Sequence, residues 1–238
     1  MALRKQALPD QMPSLHSSSP PLVSVVIPAY RHQDYIIPAI NSLLAQTFQD
    51  WEAIIIDDAS PDATWESINS IRDDRMRCYR HTINIGAHRT INEGIAMARG
   101  QFIAILNSDD TYMPRRLERL VALIEEQGAD LVSTDLSLIT SQGIMISDPS
   151  HWRLQWYNAL KAQFVQTKDL TATLFDGNLF ITTSNFFLRR EVLDKIGLFA
   201  DFRYVHDYEF IFRLLANDYS VHFAANETLL SYRLHGAN

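Results

Sequence analysis

Phe102-Ile103-Ala104-Ile105-Leu106-Asn107-Ser108-Asp109-Asp110 is the stretch on which the reading of the fold turns. Five apolar residues without a polar interruption read as a strand buried on both faces. Two adjacent carboxylates follow at its carboxyl end. The pattern recurs upstream. Residues 51–56 form a second, largely apolar run that ends in Asp57-Asp58, and residues 22–27 form a third, which Pro28 is expected to stop just before Tyr30.

Helical patterns separate these runs. Asp34 is expected to cap a helix with Pro38 in its first turn and Ile36, Ile40, Leu43 and Leu44 on one face. Pro61 and Asp62 open a second helix, expected to reach about Ile71, and residues 77–81 form a weaker strand. Ile91, Ile95 and Ala98 share a face of a third helix, which Gly100 is expected to close. Pro114 opens a fourth with Leu117, Leu120, Val121 and Ile124 in register, and residues 129–134 read as a further strand. Strands alternating with amphipathic helices predict an α/β fold, a mostly parallel sheet with helices on both faces. Ligands in such sheets sit outside the carboxyl ends of the strands, where both Asp pairs fall.

The second half is less regular. Residues 136–150 predict a short β excursion turning near Gly143, and residues 151–174 a single helix carrying Trp152, Trp156, Tyr157 and Phe164. A strand over 185–188, a short helix over 191–196 ended by Gly197, and a helix opened at or beside Asp207 follow. Two strands, 221–224 and 229–232, come last. The expected division is a disordered tail over 1–20, a first half over 21–135 and a second half over 136–238 of the same domain. The chain ends soon after His235, which leaves open a fragment of a longer protein.

The chain has 238 residues, 47% of them apolar, enough for one sizeable core. A formal net charge of -7 argues against a nucleic-acid partner, which needs a basic face to displace counterions. It leaves room for a nucleotide ligand, because a divalent cation neutralises a diphosphate where the protein supplies carboxylates. The single cysteine, Cys78, allows no internal disulfide and fits a reducing compartment. No apolar run approaches the roughly 18–20 residues of a membrane span. The first 20 residues lack the apolar core of a signal peptide. A cytoplasmic location is expected, with peripheral association at the inner face of the membrane left open.

Each candidate residue has a functional reading and a structural one. Asp109 and Asp110 repel each other unless a cation or donors hold them, and hard oxygens of this kind suit Mg²⁺ or Mn²⁺; one of them could instead cap the next helix. Asp58 could accept from a base imide or a ribose hydroxyl, or cap the helix at Pro61. Tyr30 could stack on a nucleobase or simply pack at a strand end. Asp207 could take a proton from an acceptor hydroxyl or cap its own helix. His235 could complete a carboxylate metal site or lie on the surface.

Taken in order, the local patterns resemble the inverting family-2 glycosyltransferases with the GT-A fold. The resemblance rests on Val23-Ser24-Val25-Val26-Ile27-Pro28-Ala29-Tyr30, Leu44-Ala45-Gln46-Thr47-Phe48 and Ile55-Ile56-Asp57-Asp58-Ala59-Ser60. It continues in Asn84-Ile85-Gly86, Asn92-Glu93-Gly94, Ala98-Arg99-Gly100 and Asn107-Ser108-Asp109-Asp110. Ile196-Gly197-Leu198-Phe199, Asp207-Tyr208-Glu209-Phe210 and Tyr232-Arg233-Leu234-His235 close the series, which spans about residues 22–236. The resemblance implies a nucleotide-sugar donor, UDP foremost, a glycan or lipid-linked acceptor, and Mn²⁺ or Mg²⁺, with residues 21–135 as the nucleotide-sugar-binding half and 136–238 as the acceptor-binding half. It places Pro28, Tyr30 and Asp58 at the base, Asp109 at the ribose or metal, and Arg89 at the diphosphate. Asp110 and His235 would hold the metal and Asp207 would be the catalytic base. Trp152, Trp156 and Tyr157 would stack on acceptor sugars.

Two departures stand out. Asn107 replaces an acid common among relatives, which lowers the charge near the metal, and His206 replaces the Glu of a common Glu-Asp pair beside Asp207. They motivate a second reading, a non-catalytic nucleotide-sugar or glycan-binding module. A nucleotidyltransferase is disfavoured because Pro28-Ala29-Tyr30-Arg31 is not a Gly-rich phosphate loop, and a Rossmann dehydrogenase because no G-x-G-x-x-G follows a strand.

Overall fold

The computed structural model describes residues 19–236. The tail expected over residues 1–20 lies outside them except for its last two residues. Eight strands form one sheet: β1 (Val23–Ala29), β2 (Trp51–Asp57), β3 (Met76–Arg80), β4 (Phe102–Ile105), β5 (Thr111–Tyr112), β6 (Leu131–Ile139), β7 (Phe187–Arg189) and β8 (Val221–Arg233). Their order is β3-β2-β1-β4-β7-β6-β8-β5. Helices α1 (Ile36–Leu44), α2 (Thr64–Asn69), α3 (Ala87–Met97) and α4 (Arg116–Glu126) connect the first half. Helices α5 (Trp152–Thr167), α6 (Leu170–Asp176), α7 (Arg190–Ile196) and α8 (His206–Ala216) belong to the second.

β1 pairs in parallel with β2 and β4, and β2 with β3. β7 runs antiparallel to both β4 and β6, so β6 regains the direction of β4; β8 is parallel to β6. The carboxyl ends of β1, β2, β4, β6 and β8 therefore share one edge of the sheet. The strand order reverses between β1 and β4. Right-handed crossovers place α1 and α2 on one face and α3 on the other. That reversal opens a crevice in which α/β sheets bind ligands.

The apolar runs become the central strands because burial on both faces leaves no polar position to expose. Every residue of β1, β2 and β4 is buried. At the amino-terminal edge the buried Glu52 accepts from Ser24 Oγ at 2.7 Å and from Arg77 and Arg99, an arrangement that locks strands rather than performing chemistry.

Several expectations are corrected. Pro28 does not stop β1, which runs on to Ala29. Pairing of β1 with β4 ends at Val26, whose carbonyl accepts from Leu106 N. Pro28 faces that same, now open side, so its missing N–H leaves no ladder bond unfilled. Asp34 does not cap α1, and α2 is shorter than expected. Gly100 does not close α3, which ends at Met97. A Cβ on Gly100 would stand 2.6 Å from Ser24 N, so glycine is required there by close approach to β1.

The helix expected over 151–174 is two helices. Lys168 takes a left-handed conformation (φ 58°), and the Asp169 side chain caps α6 by accepting from Ala172 N at 2.8 Å. The two closing strands are one, β8, whose pairing with β6 shifts register near Asp135. β6 itself extends to Ile139, across the boundary drawn at 135/136, so both halves share the sheet.

Candidate active site

The loop after β4 is anchored from segments far away in sequence. Asn107 N and the Asp110 carboxylate both meet Ser184: Asn107 N donates to Ser184 Oγ at 2.9 Å, and Ser184 Oγ donates to Asp110 Oδ2 at 2.6 Å. Arg233 N donates to Asp110 Oδ1 at 3.0 Å, and Arg233 Nε donates to the Asp109 carbonyl at 2.7 Å. Asp110 is fully buried, and burial together with the neighbouring Asp109 charge pushes its carboxyl well above the usual range.

Asp109 faces the other way. His235 Nε2 lies 2.9 Å from Asp109 Oδ2. Burial opposes ionisation of Asp109, but the hydrogen bond with His235 and the pull of both neighbouring imidazoles outweigh it, and the carboxyl is held below its ordinary value. His32, in the loop after β1, completes the group: one ligand atom each from His32, Asp109 and His235 lie within 4.8 Å of one another. Imidazole nitrogens and a carboxylate oxygen suit a divalent cation such as Mn²⁺. Asp110, the carboxylate expected at a metal, is not in this group; Asp109 is the carboxylate that stands beside His235 and His32. Adjacent residues in a tight loop point in opposite directions, and Ser184 and Arg233 claim Asp110.

Asn107 is a strut. Its amide donates to Thr182 Oγ1 at 2.9 Å and accepts from Thr183 Oγ1 at 3.0 Å, so the missing acid ties β4 to the 3-10 turn Thr183–Asn185. Behind that turn the buried Arg116 guanidinium holds Thr134 Oγ1, Ser184 O and Asn185 Oδ1.

Asp58, at the end of β2, is bound from three directions. Ile85 N donates to Oδ1 at 2.9 Å, Gly86 N donates to Oδ2 at 2.8 Å, and His81 Nδ1 lies 2.8 Å from Oδ1. His81 Nε2 lies 2.9 Å from Glu93 Oε2. Burial alone would lower the His81 imidazole, but its hydrogen bond and charge interaction with Asp58, and those with Glu93, raise it on balance. Asp57 is a structural acid: it is fully buried, with Arg80 Nε 3.0 Å from its Oδ2. Tyr30 is 37% exposed at the end of β1, beneath the Arg31 guanidinium.

Asp207 sits in the first turn of α8, half-buried, where Asn178 Nδ2 donates to its Oδ2 at 2.8 Å. His206 packs its ring against Phe199 and His88, and burial lowers its imidazole despite the Asp207 charge. Segment 178–184 thus touches Asp207 through Asn178 and Asp110 through Thr182 and Ser184. Sequence reasoning missed this segment; its signal was the polar run Thr182-Thr183-Ser184-Asn185 set between Phe180 and Phe186.

Other expected residues are placed differently. Arg89 is exposed and paired with Asp201, which also meets His88 Nε2. Tyr157 is buried and donates to Asp135 Oδ1 at 2.7 Å, so it offers no face to a sugar. Trp156 is half-buried against Gly177, where a Cβ would stand 2.8 Å from its ring. Trp152 is 67% exposed.

Comparison with known proteins agrees with this architecture. The model for glycosyl transferase family 2 matches residues 24–197. The chain belongs to that family. It is 37% identical over 106 residues to the UDP-Glc:alpha-D-GlcNAc-diphosphoundecaprenol beta-1,3-glucosyltransferase WfaP of Escherichia coli, covering 44% of this chain and 42% of the relative. Two solved structures share the GT-A-like fold of this family-2 chain. They are TarS of S. aureus in complex with UDP-GlcNAc (TM-score 0.67, 19% identity, 91% of this chain and 59% of that one) and the mannosyltransferase PcManGT of Pyrobaculum calidifontis in complex with GDP-Man and Mn²⁺ (TM-score 0.66, 17% identity, 92% and 59%). The chain spans about half the length of the curated relatives it matches. No helix among the described residues is long and apolar enough to cross a membrane.

Proposed function

We propose that this family-2 domain is metal-dependent and transfers a sugar, with inversion, from a nucleotide-sugar to a hydroxyl of a glycan or lipid-linked acceptor in surface polysaccharide or cell-envelope glycan synthesis. UDP is the nucleotide in the names of WfaP and the TarS complex, GDP that of PcManGT, and UDP is the one proposed for this chain. The observation that carries the reading is convergence: Tyr30 and His32 after β1, Asp58 after β2, Asp109 after β4 and His235 after β8 all lie at one edge of the sheet, around the reversal between β1 and β4.

Pro28, Tyr30 and Asp58 form the base side. Asp58 is already held by two backbone amides and His81, which fixes the carboxylate before a nucleotide arrives. Asp109 and His235 would hold Mn²⁺ or Mg²⁺. When bound, the ion supplies Lewis-acid neutralisation of the diphosphate charge. Asp207 takes the proton of the acceptor hydroxyl as that oxygen attacks the anomeric carbon, and the bond from that carbon to the diphosphate oxygen breaks on the opposite face. Asn178 orients the Asp207 carboxylate for this step. Arg89 reaches the diphosphate only by leaving Asp201. Trp152 presents the more open ring to an acceptor, with Trp156 as its partner packed on Gly177. An acceptor carried on a lipid, as WfaP's name describes for that protein, fits a peripheral membrane location on the cytoplasmic side.

The test is a nucleotide-sugar panel read by thermal stabilisation and by product formation, with and without Mn²⁺. A ligand at a hundredfold excess over its Kd stabilises the native state by about 2.7 kcal/mol. Stabilisation and turnover with one donor support a transferase. Tight donor binding with no turnover on any glycan or lipid-linked acceptor makes the chain the binding module instead.

A further inference from the structure

We infer that His32 is a third protein ligand of the metal centre, giving it two imidazoles and one carboxylate and a preference for Mn²⁺ over Mg²⁺. The inference rests on the reading of Asp109 and His235 as metal ligands and adds to it a residue from the opposite wall of the crevice.

Geometry supplies the first argument. Ligands about 2.1 Å from a common ion stand about 3 Å apart in cis and about 4.2 Å apart in trans. The ligand atoms of His32, Asp109 and His235 already lie within 4.8 Å of one another, so small side-chain rotations bring them onto one ion. All three are buried or half-buried. This is unlike an exposed cluster of acids, which gathers without a metal.

Support around the ring supplies the second. His32 N donates to Thr64 Oγ1 at 2.9 Å, and its carbonyl accepts from Tyr35 N and Ile36 N, so the loop is fixed at the start of α1. Ser108 Oγ lies 2.7 Å from His32 Nδ1, a hydroxyl from the residue beside Asp109. Such partners orient a ligating imidazole and fix its tautomer. The ring also meets His235 edge-on at 5.5 Å and Tyr35 at 5.6 Å, while Tyr35 packs against His235 at 4.9 Å. The three rings hold one another in place, which suits a preorganised site.

Chemistry supplies the third. Mg²⁺ favours oxygen ligands and retains water, whereas imidazole affinity rises through the first transition row. A centre with two imidazoles from the protein discriminates against Mg²⁺ more than one built from Asp109 and a single His. His32 also lies beyond the end of β1, two residues past Tyr30, so the metal would bridge the two strands that flank the reversal.

The experiment is calorimetric titration of the metal-stripped full chain with MnCl₂ and with MgCl₂, each with and without UDP. Wild type, His32→Ala and Asp109→Asn are compared after their folds are checked by circular dichroism. The expected result is Mn²⁺ binding roughly tenfold or more tighter than Mg²⁺ in wild type. His32→Ala should lower Mn²⁺ affinity roughly tenfold or more and narrow the Mn²⁺/Mg²⁺ ratio. A second measurement needs no variant: in spectra of the wild-type histidines, substoichiometric Mn²⁺ should broaden the ring protons of His32 and His235 before those of the other six of the chain's eight. Wild-type Mn²⁺ affinity in folded His32→Ala, or sharp His32 signals beside broadened His235 signals, overturns the inference. If Asp109→Asn alone abolishes binding, the broader reading of the site survives that failure. If neither variant changes Mn²⁺ binding, or wild type binds none even with UDP, both fall.

Discussion

Exchanging Asp109 and Asp110 for Asn, one at a time, separates two acids that sequence alone makes equivalent. Asp110 is fully buried, held by Ser184 and Arg233, and Asn matches its shape. The Asn oxygen can still accept from Arg233 N, while its NH₂ now faces Ser184 Oγ, which already accepts from Asn107 N. Two hydrogen bonds are disturbed, those that Ser184 Oγ and Thr182 Oγ1 donate to Oδ2, about 1–2 kcal/mol together. For a chain of this size that lowers Tm by about 2–8 °C. Mn²⁺ affinity should stay within about threefold of wild type, because no ligand is removed. Asp109→Asn has the opposite profile: it removes the one carboxylate of the His32, Asp109, His235 group, so Mn²⁺ affinity should fall at least tenfold, roughly. Differential scanning fluorimetry and Mn²⁺ titration of both variants read these outcomes. Loss of Mn²⁺ binding in Asp110→Asn, with binding intact in Asp109→Asn, would refute the orientation of the loop after β4.

Two further outcomes follow from the same structure. His81 has a raised pKa between Asp58 and Glu93, so the stability it contributes is complete below its unfolded pKa of about 6.5 and is lost as pH rises through the higher folded value. Wild-type Tm and UDP affinity should both decline over that alkaline window, and His81→Gln should flatten the decline; an unchanged pH profile in His81→Gln removes the role. Gly100→Ala places a Cβ 2.6 Å from Ser24 N in a buried strand and should destabilise by about 1–3 kcal/mol, read as a fall in Tm with metal affinity unaltered; a variant as stable as wild type would contradict the close approach.

Much of the fold was legible because the central strands carry their burial in their composition. Residues 102–106 and 51–56 have almost no polar position, and only a doubly covered strand accommodates that. Their following acids then fall at the ligand edge by topology. What local sequence could not convey was long-range pairing. β5 is two residues long and exists only because it pairs with β8, and the break at Lys168 depends on one left-handed residue inside a helical pattern. The difference in surroundings between Asp109 and Asp110 was equally hidden: Asp110 is held by Ser184 and Arg233, 74 and 123 residues away. His32 was passed over because a lone histidine in a loop carries no spacing signal, and its partners come from β4 and the end of β8. Tyr157 was misread for the converse reason: an aromatic in an aromatic-rich helix looks available until its hydroxyl is found on the buried Asp135.

The measurement that bears most directly on the account is single-turnover release of nucleoside diphosphate by wild type and Asp207→Asn, with a donor and acceptor identified from the panel and Mn²⁺ present. General-base catalysis contributes roughly 10²–10⁴-fold, so the account predicts a rate loss of that order in Asp207→Asn, with donor affinity retained because Asp58 and the metal ligands are untouched. A wild-type rate in Asp207→Asn would contradict it.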